Sequence, residues 1–229
     1  MRSNSGTTCA EESATASSSP TKKLHFFQKS DAKDRSSIQY LDAPLPSGRY
    51  IVFDLETTGL SPWGGDEMIE IGAMKIFGNE LDEINVFHSL VNPKRLIPPD
   101  ATNINGITNE MVQGQPTIDE IFPKFLDFVG SSWLVAQNAK FDMGFITKYL
   151  VHYRVKRELE VYDTMIFSRR AFPGENRHNL DVICDRLNIQ SNKGERHRSI
   201  EDVRLTGLAF LKLKERLGTN LPNRDKYSV

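Results

Sequence analysis

Three apolar segments, joined by short links, follow one another from Arg49 onward. They read YIVFDLE, MIEIGAMKIF and INVFHSLV, and Gly64-Gly65 and Gly78-Asn79 are turn signals between them. Runs of this length, rich in Val, Ile and Phe and bounded by Gly, are typical of buried strands. Because short links most easily join strands that run in opposite directions, the pattern predicts an antiparallel meander.

Strands and helices alternate in the rest of the chain. SSWLVAQN and LEVYDT read as a fourth and a fifth strand, and FDMGFITKYLVHY, HNLDVICDRLNI and SIEDVRLTGLAFLKLKERLG have apolar residues at helical spacing. IDEIFPKFLDFV has the same spacing, although Pro123 predicts a kink or a later helix start. Gly218 is suited to end the last helix. The sequence therefore predicts an α/β fold with a mixed five-stranded sheet flanked by helices.

Composition divides the chain into three parts. Ten of the first 22 residues are Ser or Thr, so residues 1–48 are expected to form a disordered N-terminal extension. The tetrad LHFF at 24–27 interrupts this extension and is either a docking segment or a piece that packs on the domain. Residues 49–218 have the pattern of one packed domain, and residues 219–229 form a short C-terminal tail.

Charge and cysteine content exclude several classes of protein. A formal net charge of −1 argues against a protein that coats duplex nucleic acid, but not against an enzyme that holds one strand end. Cys9 and Cys184 are far apart, which indicates no disulfide framework. The apolar runs are far shorter than a bilayer requires, and the N-terminus has no signal-peptide core. We therefore expect a cytoplasmic protein with no membrane partner.

Asp54 and Glu56 lie two positions apart in the first strand. Side chains at i and i+2 share a face of a strand, so both carboxylates point the same way as Val52. Either the two carboxylates reach one bound ion from different depths, or they belong to a strand end that emerges into solvent beside the Thr57-Thr58-Gly59 turn.

Asp142 opens the helix that follows the fourth strand. Apolar residues follow it at helical spacing, which places Asp142 on the buried stripe of that helix. A helix cap is the alternative role, because Asp is favoured near a helix N-terminus. Phe141 could stack on a base or pack in the core, and Asn138 could bind a substrate or close a turn.

His197 and Asp202 lie at the start of the last helical pattern. Asp202 shares a helical stripe with Leu205 and Ala209, so it faces inward, whereas His197 is expected in the preceding loop. An imidazole with an ordinary pKa near 6.5 suits a general base. The alternative is a surface histidine in a basic loop.

Carboxylates gathered in apolar surroundings are costly to bury without a strong positive charge among them. No cluster of Cys or His accompanies these four acidic residues in the sequence. Hard oxygen ligands of this kind favour Mg²⁺ or Mn²⁺ over zinc.

The ordered set of motifs resembles the DnaQ-like (DEDDh) 3′–5′ exonuclease family, which has a ribonuclease H-like fold. FDLETTG, NAKFDMGF and HRSIEDVRLT match the three motifs of that family, and the resemblance runs from about Arg49 to Leu217. EIGAMKI, PTIDEI and RAFPGENRHNLDVICDRLNI are also similar to proofreading epsilon subunits of bacterial DNA polymerase III.

The resemblance implies hydrolysis with two metal ions. The ligands of two Mg²⁺ or Mn²⁺ ions, about 3.5–4 Å apart across the scissile phosphate, would be Asp54, Glu56, Asp142 and Asp202. One ion and His197 would generate the attacking hydroxide, the other ion would stabilise the departing 3′ oxygen, and the product would be a nucleoside 5′-monophosphate. The implied substrate-binding residues are Asp54, Leu55, Glu56, Thr57, Thr58, Asn138, Phe141 and Asp202.

The resemblance also implies the 3′ end of DNA as substrate and a proofreading role. The implied partners are the polymerase III alpha subunit and the sliding clamp, with Leu24–Gln28 as a candidate contact. A standalone repair enzyme or an RNA-trimming exonuclease is the alternative, because active-site carboxylates do not read the 2′-hydroxyl. A binding subunit without catalysis is a third reading, which the retention of all the motif residues disfavours.

Three positions depart from the usual family pattern. Gln137 and Asn105 stand where many relatives have histidines, which could alter phosphate contacts and substrate preference. Ser199 stands where a small Ala is usual.

Overall fold

The structure is a computed structural model that describes residues 49–191 and 198–228. Three predictions concern residues outside these ranges: the disorder of residues 1–48, the candidate contact Leu24–Gln28 and the candidate base His197.

The described residues form a sheet flanked by helices. The strands are β1 (Arg49–Thr57), β2 (Met68–Phe77), β3 (Glu80–Leu90), β4 (Trp133–Ala136), β5 (Leu159–Asp163) and β6 (Asp225–Tyr227). The helices are α1 (Pro99–Asn105), α2 (Asn109–Val112), α3 (Ile118–Val129), α4 (Ala139–His152), α5 (Thr164–Ala171), α6 (Leu180–Arg186) and α7 (Ser199–Leu217). None of the helices in this part of the chain is long and apolar enough to cross a membrane.

The sheet is mixed, in the order β3-β2-β1-β4-β5-β6. β1, β2 and β3 pair antiparallel, as the meander predicted, and β4 pairs parallel to both β1 and β5. The predicted fold class is confirmed, but the predicted count of five strands is one too few. The sixth strand, β6, pairs antiparallel with β5 in the segment predicted to be a tail.

The short strand β6 is anchored by a neighbouring arginine. The Arg224 guanidinium lies 4.1 Å from the ring centre of Trp133, and its Nε donates to Glu160 at 2.8 Å. These contacts link distant parts of the chain, and a three-residue strand is too short to show a period. The sequence pattern therefore gave no sign of β6.

β1 separates two apolar layers. Ile51, Phe53 and Leu55 pack in the cluster that includes α3 and α4. Val52 packs in the opposite cluster, with α5, α6 and α7. The alternation predicted for β1 is confirmed, so its two carboxylates continue the row of Val52, on the α7 side.

Helix boundaries follow local capping signals. α3 begins at Ile118 behind a capping box of Thr117 and Glu120, and Pro123 lies inside it, so a later start of this helix is excluded. α7 ends before Gly218, whose φ of 56° lies in the left-handed region that glycine tolerates.

Two glycines allow α7 to approach the sheet closely. A Cβ at Gly72 would lie 2.9 Å from Ser199 Oγ, and a Cβ at Gly207 would lie 2.8 Å from Leu81 Cδ1. Both contacts are shorter than packed side chains tolerate without displacement. The absence of these two side chains thus sets the distance between the sheet and the helix that carries Asp202.

Replacement of Ser199 by Ala should leave the protein as stable as before or stabilise it by up to about 1–2 kcal/mol. The Ser199 hydroxyl is fully buried and has no hydrogen-bond partner among the described residues. Removal of an unpaired hydroxyl abolishes its desolvation cost and creates only a small void. Urea unfolding of Ser199→Ala tests this, and a loss of more than 1 kcal/mol would contradict the account of this contact.

Candidate active site

Three acidic side chains converge at the C-terminal end of β1. One ligand oxygen from each of Asp54, Glu56 and Asp202 lies within 4.8 Å of the others. β1 supplies the first two from one face, and the first turn of α7 supplies the third. Asp202 is buried, whereas Asp54 and Glu56 are partly exposed, so the cluster opens toward solvent.

Asp142 lies beside this cluster rather than within it. Its side chain is buried in the first turn of α4, and its Oδ1 accepts a hydrogen bond from the Leu55 backbone N–H at 3.2 Å. Of the neighbouring carboxylates, Asp142 raises the pKa of Asp54 the most, second only to the effect of burial. The helix-cap alternative is wrong, because Asn138 is the N-cap residue of α4, and Asp142 is instead held by the strand that carries Asp54.

The surroundings of these carboxyl groups disfavour their ionised form and raise their pKa values. Burial first, and then the charge of neighbouring carboxylates, raise the pKa of Asp54 well above its usual value. Burial and the charge of Asp202 are the main causes that raise the pKa of Glu56 to about 8. Burial also raises the pKa of Asp142, although the Leu55 N–H opposes this. Burial and mutual repulsion therefore favour the protonated form of these carboxyl groups.

Divalent cations fit this donor set. Oxygen ligands within reach of one another, with raised pKa values and an opening to solvent, are suited to hard ions such as Mg²⁺ and Mn²⁺. Bound cations would replace the protons and favour the ionised carboxylates.

Stability without divalent ions should fall as the pH rises from about 4.5 to about 8. The pKa of Glu56 is about 8 in the folded protein against an ordinary 4.5. A group whose pKa is higher in the folded than in the unfolded state stabilises the fold fully at a pH below its unfolded-state pKa. This stabilisation is lost as the pH rises toward its folded-state pKa. In EDTA, the Tm measured by thermal unfolding should therefore be several degrees lower at pH 8 than at pH 5.5. For a domain of this size, each kcal/mol of lost stability lowers the Tm by roughly 2–4 °C.

Saturating Mg²⁺ should remove most of this pH dependence, because the ion stabilises the ionised carboxylates. Asp202→Asn, with one acidic neighbour fewer beside Glu56, should show a smaller drop in EDTA. A Tm that rises with pH in EDTA would contradict the described electrostatics.

Glu70 is a further acidic residue at the site, fully buried on β2 opposite Glu56. Its carboxylate accepts hydrogen bonds from Arg198 Nη2 at 2.6 Å, from the Ser199 N–H at 2.9 Å, and lies 2.8 Å from His88 Nε2. Burial opposes ionisation of Glu70, but these hydrogen bonds prevail and lower its pKa to about 2. Glu70 therefore anchors the start of α7, and with it Asp202.

Asn105 is a second polar residue that acts on the cluster, through Glu56. It is buried at the end of α1, and its Oδ1 accepts the Ile107 N–H at 3.0 Å, which directs its NH₂ group away from that turn. Asn105 hydrogen-bonds to the Glu56 carboxylate and partly offsets the rise of its pKa. The residue that replaces a family histidine is thus in contact with a cluster carboxylate.

Gln137 is the second residue that stands where many relatives have a histidine. Its half-buried side chain links neighbouring elements by hydrogen bonds. Its Nε2 donates to the His178 carbonyl at 2.9 Å, and its Oε1 accepts from the Thr164 hydroxyl. His178 Nδ1 in turn lies 2.9 Å from Ser168 Oγ. This network joins the end of β4 to α5 and to the segment before α6.

The threonines after β1 are engaged in a turn. The Thr57 hydroxyl donates to the Gly59 carbonyl at 2.7 Å, and the Thr58 hydroxyl donates to Asp66 at 3.1 Å and accepts from the Glu67 N–H at 3.0 Å. Thr57, Thr58 and Leu55 are all buried. Any contact of these residues with a substrate must therefore come mainly from their backbone.

Asn138 and Phe141 stand at the entrance to α4. Asn138 is exposed, with a left-handed φ of 57°, and its N–H donates to Asp163 at 3.1 Å. Asp163 also accepts from the Ala139 and Met165 N–H groups, so it fixes the starts of both α4 and α5. Phe141 is partly buried against Phe145, with 5.4 Å between ring centres. Asn138 and part of Phe141 remain accessible to a ligand.

His197 lies outside the described residues, and its predicted role stays a prediction. The described chain resumes at Arg198, directly after it.

The structure brings three of the four predicted acidic ligands together, with Asp142 beside them, but the sequence analysis did not identify Glu70 or Asp163. A charged residue in the middle of the apolar run MIEIGAMKIF was the available signal for Glu70. The partners of Glu70 could not be read from the sequence, because they lie on distant elements.

Known proteins match the part of the chain that carries the site. A family model described as "Exonuclease" (RNase_T) matches residues 51–210. A DNA polymerase III PolC-type protein of Clostridium perfringens is 41% identical over 172 residues, covering 73% of this chain but only 12% of that protein. The DNA polymerase III subunit epsilon of Aquifex aeolicus is 35% identical over 186 residues, covering 81% of this chain and 90% of that protein.

Solved structures show the same architecture. Exonuclease X, in complex with 5′-overhanging duplex DNA, has a TM-score of 0.59 and 28% identity over 76% of this chain and 95% of its own. E. coli Exonuclease I, in complex with a dA16 oligonucleotide, has a TM-score of 0.63 over 74% of this chain and 41% of its own. At 15% identity, the latter likeness concerns the fold alone.

Proposed function

The chain belongs to the DnaQ-like exonuclease family, and from that premise we propose that it removes nucleotides stepwise from the 3′ end of DNA as nucleoside 5′-monophosphates. The observation that carries the proposal is the convergence of Asp54, Glu56 and Asp202, with Asp142 alongside, at the end of the central strand. Such a cluster, with raised pKa values, is costly in a protein that binds no cation.

The four carboxylates would act as ligands for two Mg²⁺ or Mn²⁺ ions. When bound, these ions would supply Lewis-acid activation and charge neutralisation at the scissile phosphate. The Leu55 N–H and Asn105 would hold Asp142 and Glu56 in orientation, and the Glu70–Arg198 pair would hold the end of α7 that carries Asp202. His197 would accept the proton of the attacking water.

The terminal nucleotide would lie against the turn that follows β1. Leu55, Thr57 and Thr58 are buried there with their backbone next to the carboxylates, so backbone groups would contact the 3′-terminal sugar. Asn138 and Phe141 at the entrance to α4 would frame the next nucleotide, the amide by hydrogen bonds and the ring by stacking.

The proposed physiological role is proofreading as an epsilon subunit of DNA polymerase III. Its support is the length match to the Aquifex aeolicus subunit, of which this chain covers 90%. The alpha subunit and the sliding clamp are the corresponding partner proposals. A standalone repair exonuclease is the second candidate, supported by the likeness to Exonuclease X, which was solved in complex with 5′-overhanging duplex DNA. An RNA-trimming exonuclease is the remaining alternative.

A digestion series with matched 3′ ends tests the substrate. Single-stranded DNA, duplex DNA with a paired or a mismatched terminus, and RNA of the same sequence are incubated with the enzyme and Mg²⁺. Proofreading predicts faster removal of the mismatched than of the paired DNA terminus, because a frayed end reaches the site without unpairing. Faster digestion of RNA than of DNA would overturn the substrate assignment.

A further inference from the structure

Trp63 is an exposed aromatic residue close to the carboxylate cluster. It lies in a single 3-10 turn, Pro62–Gly64, in which no residue is buried, and its own side chain is 66% exposed. A flat ring with this exposure is available to stack on a ligand. The other tryptophan, Trp133, is partly buried against Arg224 and Tyr50.

The turn that carries Trp63 is rigidly built. Asp66 accepts hydrogen bonds from the Ser61 N–H at 3.0 Å and from the Thr58 hydroxyl at 3.1 Å, and its own N–H donates to the Ser61 carbonyl at 3.1 Å. Arg95 donates to the Gly65 carbonyl on the far side of the turn. The backbone that carries the indole is therefore held by these hydrogen bonds, which lowers the entropic cost of ordering the turn on a ligand.

The position of the turn relates Trp63 to the site. The turn begins four residues after Thr58, which continues the strand of Asp54 and Glu56. Its Pro62 packs on α4 so closely that a Cβ at Gly144 would lie 3.2 Å from Pro62 Cγ. Trp63 therefore lies on the loop that leaves the carboxylate end of β1, and the residue before it packs against the helix that carries Asp142.

Positive charge accompanies the exposed ring. Arg95, with its side chain 41% exposed, lies 3.8 Å from the Asp66 carboxylate, and Lys148 on α4 is bound to the Asp66 carbonyl and to the Glu67 carboxylate, each at 2.8 Å. Both cations therefore border the turn as members of ion pairs. Lys140, in the first turn of α4, is exposed. An aromatic face beside cations is the combination by which proteins bind single-stranded nucleic acid, with bases stacked on the ring and phosphates near the charges.

We propose that Trp63 is a stacking platform for a base of the single strand whose 3′ end enters the carboxylate cluster. The inference rests on the proposed function of that cluster and adds to it a binding residue outside the family motifs. Because every base has a flat face, this contact would be insensitive to sequence and would strengthen binding of strands long enough to reach the turn.

Binding of oligonucleotides to a variant that cannot digest them tests the proposal. In Asp54→Asn with Mg²⁺, dT oligonucleotides of increasing length should quench tryptophan fluorescence once they are long enough to reach the turn. Addition of Trp63→Ala should weaken the binding of these longer strands by roughly 5- to 150-fold, measured by anisotropy of a labelled strand, and leave mononucleotide binding unchanged. Trp63→Phe should keep most of the affinity but lose the quenching.

Ile84→Ala is the matched control, since Ile84 is an 89% exposed apolar residue on β3. It should change neither affinity nor quenching. Equal affinity of the Trp63→Ala and parent proteins for all lengths would overturn the platform, even if the native enzyme digests DNA. Absence of digestion by the native enzyme would instead refute the proposed function, and the quenching would still decide whether Trp63 binds a base.

Discussion

Asp54→Asn should lower the turnover number for 3′-terminal nucleotide release at least about a thousandfold in Mg²⁺. The substitution keeps the size of the side chain but removes a charge from the centre of the cluster, where Glu56 and Asp202 lie within 4.8 Å of it. Metal-ion catalysis supplies several kcal/mol, and each 1.4 kcal/mol corresponds to a factor of ten in rate. The measurement is single-turnover digestion of a labelled oligonucleotide.

The same variant should be at least as stable as the native protein in EDTA. Burial and like charge raise the pKa of Asp54 in the native protein, and a neutral amide relieves that repulsion. Loss of activity together with a gain in Tm would distinguish a site residue from a structural one. Asp127→Asn is the control, because Asp127 is exposed on α3 away from the cluster. Activity of Asp54→Asn within tenfold of native would refute the assigned role.

Arg198→Ala should destabilise the protein by about 2–3 kcal/mol, or roughly 5–10 °C in Tm. Glu70 is fully buried and carries its charge at all ordinary pH values, since its pKa is lowered to about 2. Removal of the guanidinium leaves that charge with only His88 and the Ser199 N–H. The expected cost lies below that of a fully buried pair, because 35% of the Arg198 side chain is exposed.

A double variant separates the pair from simple loss of packing. Glu70→Gln in the Arg198→Ala background removes the uncompensated charge, so it should restore part of the lost stability, and the two effects should not add. Lys226→Ala is the control, because Lys226 and Glu158 form an exposed pair at 2.9 Å that should contribute less than about 1 kcal/mol. Urea unfolding at pH 7 is the measurement, and additive losses would contradict the described network.

The sequence predicted those parts of the site that depend on local period. Asp54 and Glu56 alternate with Phe53 and Leu55, and the structure places the two sets on opposite sides of β1 as a period of two requires. The inward position of Asp202 followed from the helical period in the same way. The orientation of these residues could be predicted without knowing which elements pack against them.

Other parts depend on which elements meet. Glu70 alternates like any strand residue, but its stabilisation comes from Arg198 on α7 and His88 on β3. The hydrogen bond from Asn105 to Glu56 likewise requires α1 to lie over the end of β1. Distances between such elements are set by packing, as at Gly72, and no local pattern reports them.

The most direct test of the central claim is the product of a single Mg²⁺-dependent digestion. An oligonucleotide labelled in its 3′-terminal nucleotide is incubated with the native enzyme in Mg²⁺ or in EDTA, and the released product is identified by mass. We predict that the label appears first as a nucleoside 5′-monophosphate in Mg²⁺ and stays on the strand in EDTA. Release in EDTA, a product with a 3′-phosphate, or shortening from the 5′ end would contradict a two-metal 3′–5′ exonuclease built on these four carboxylates.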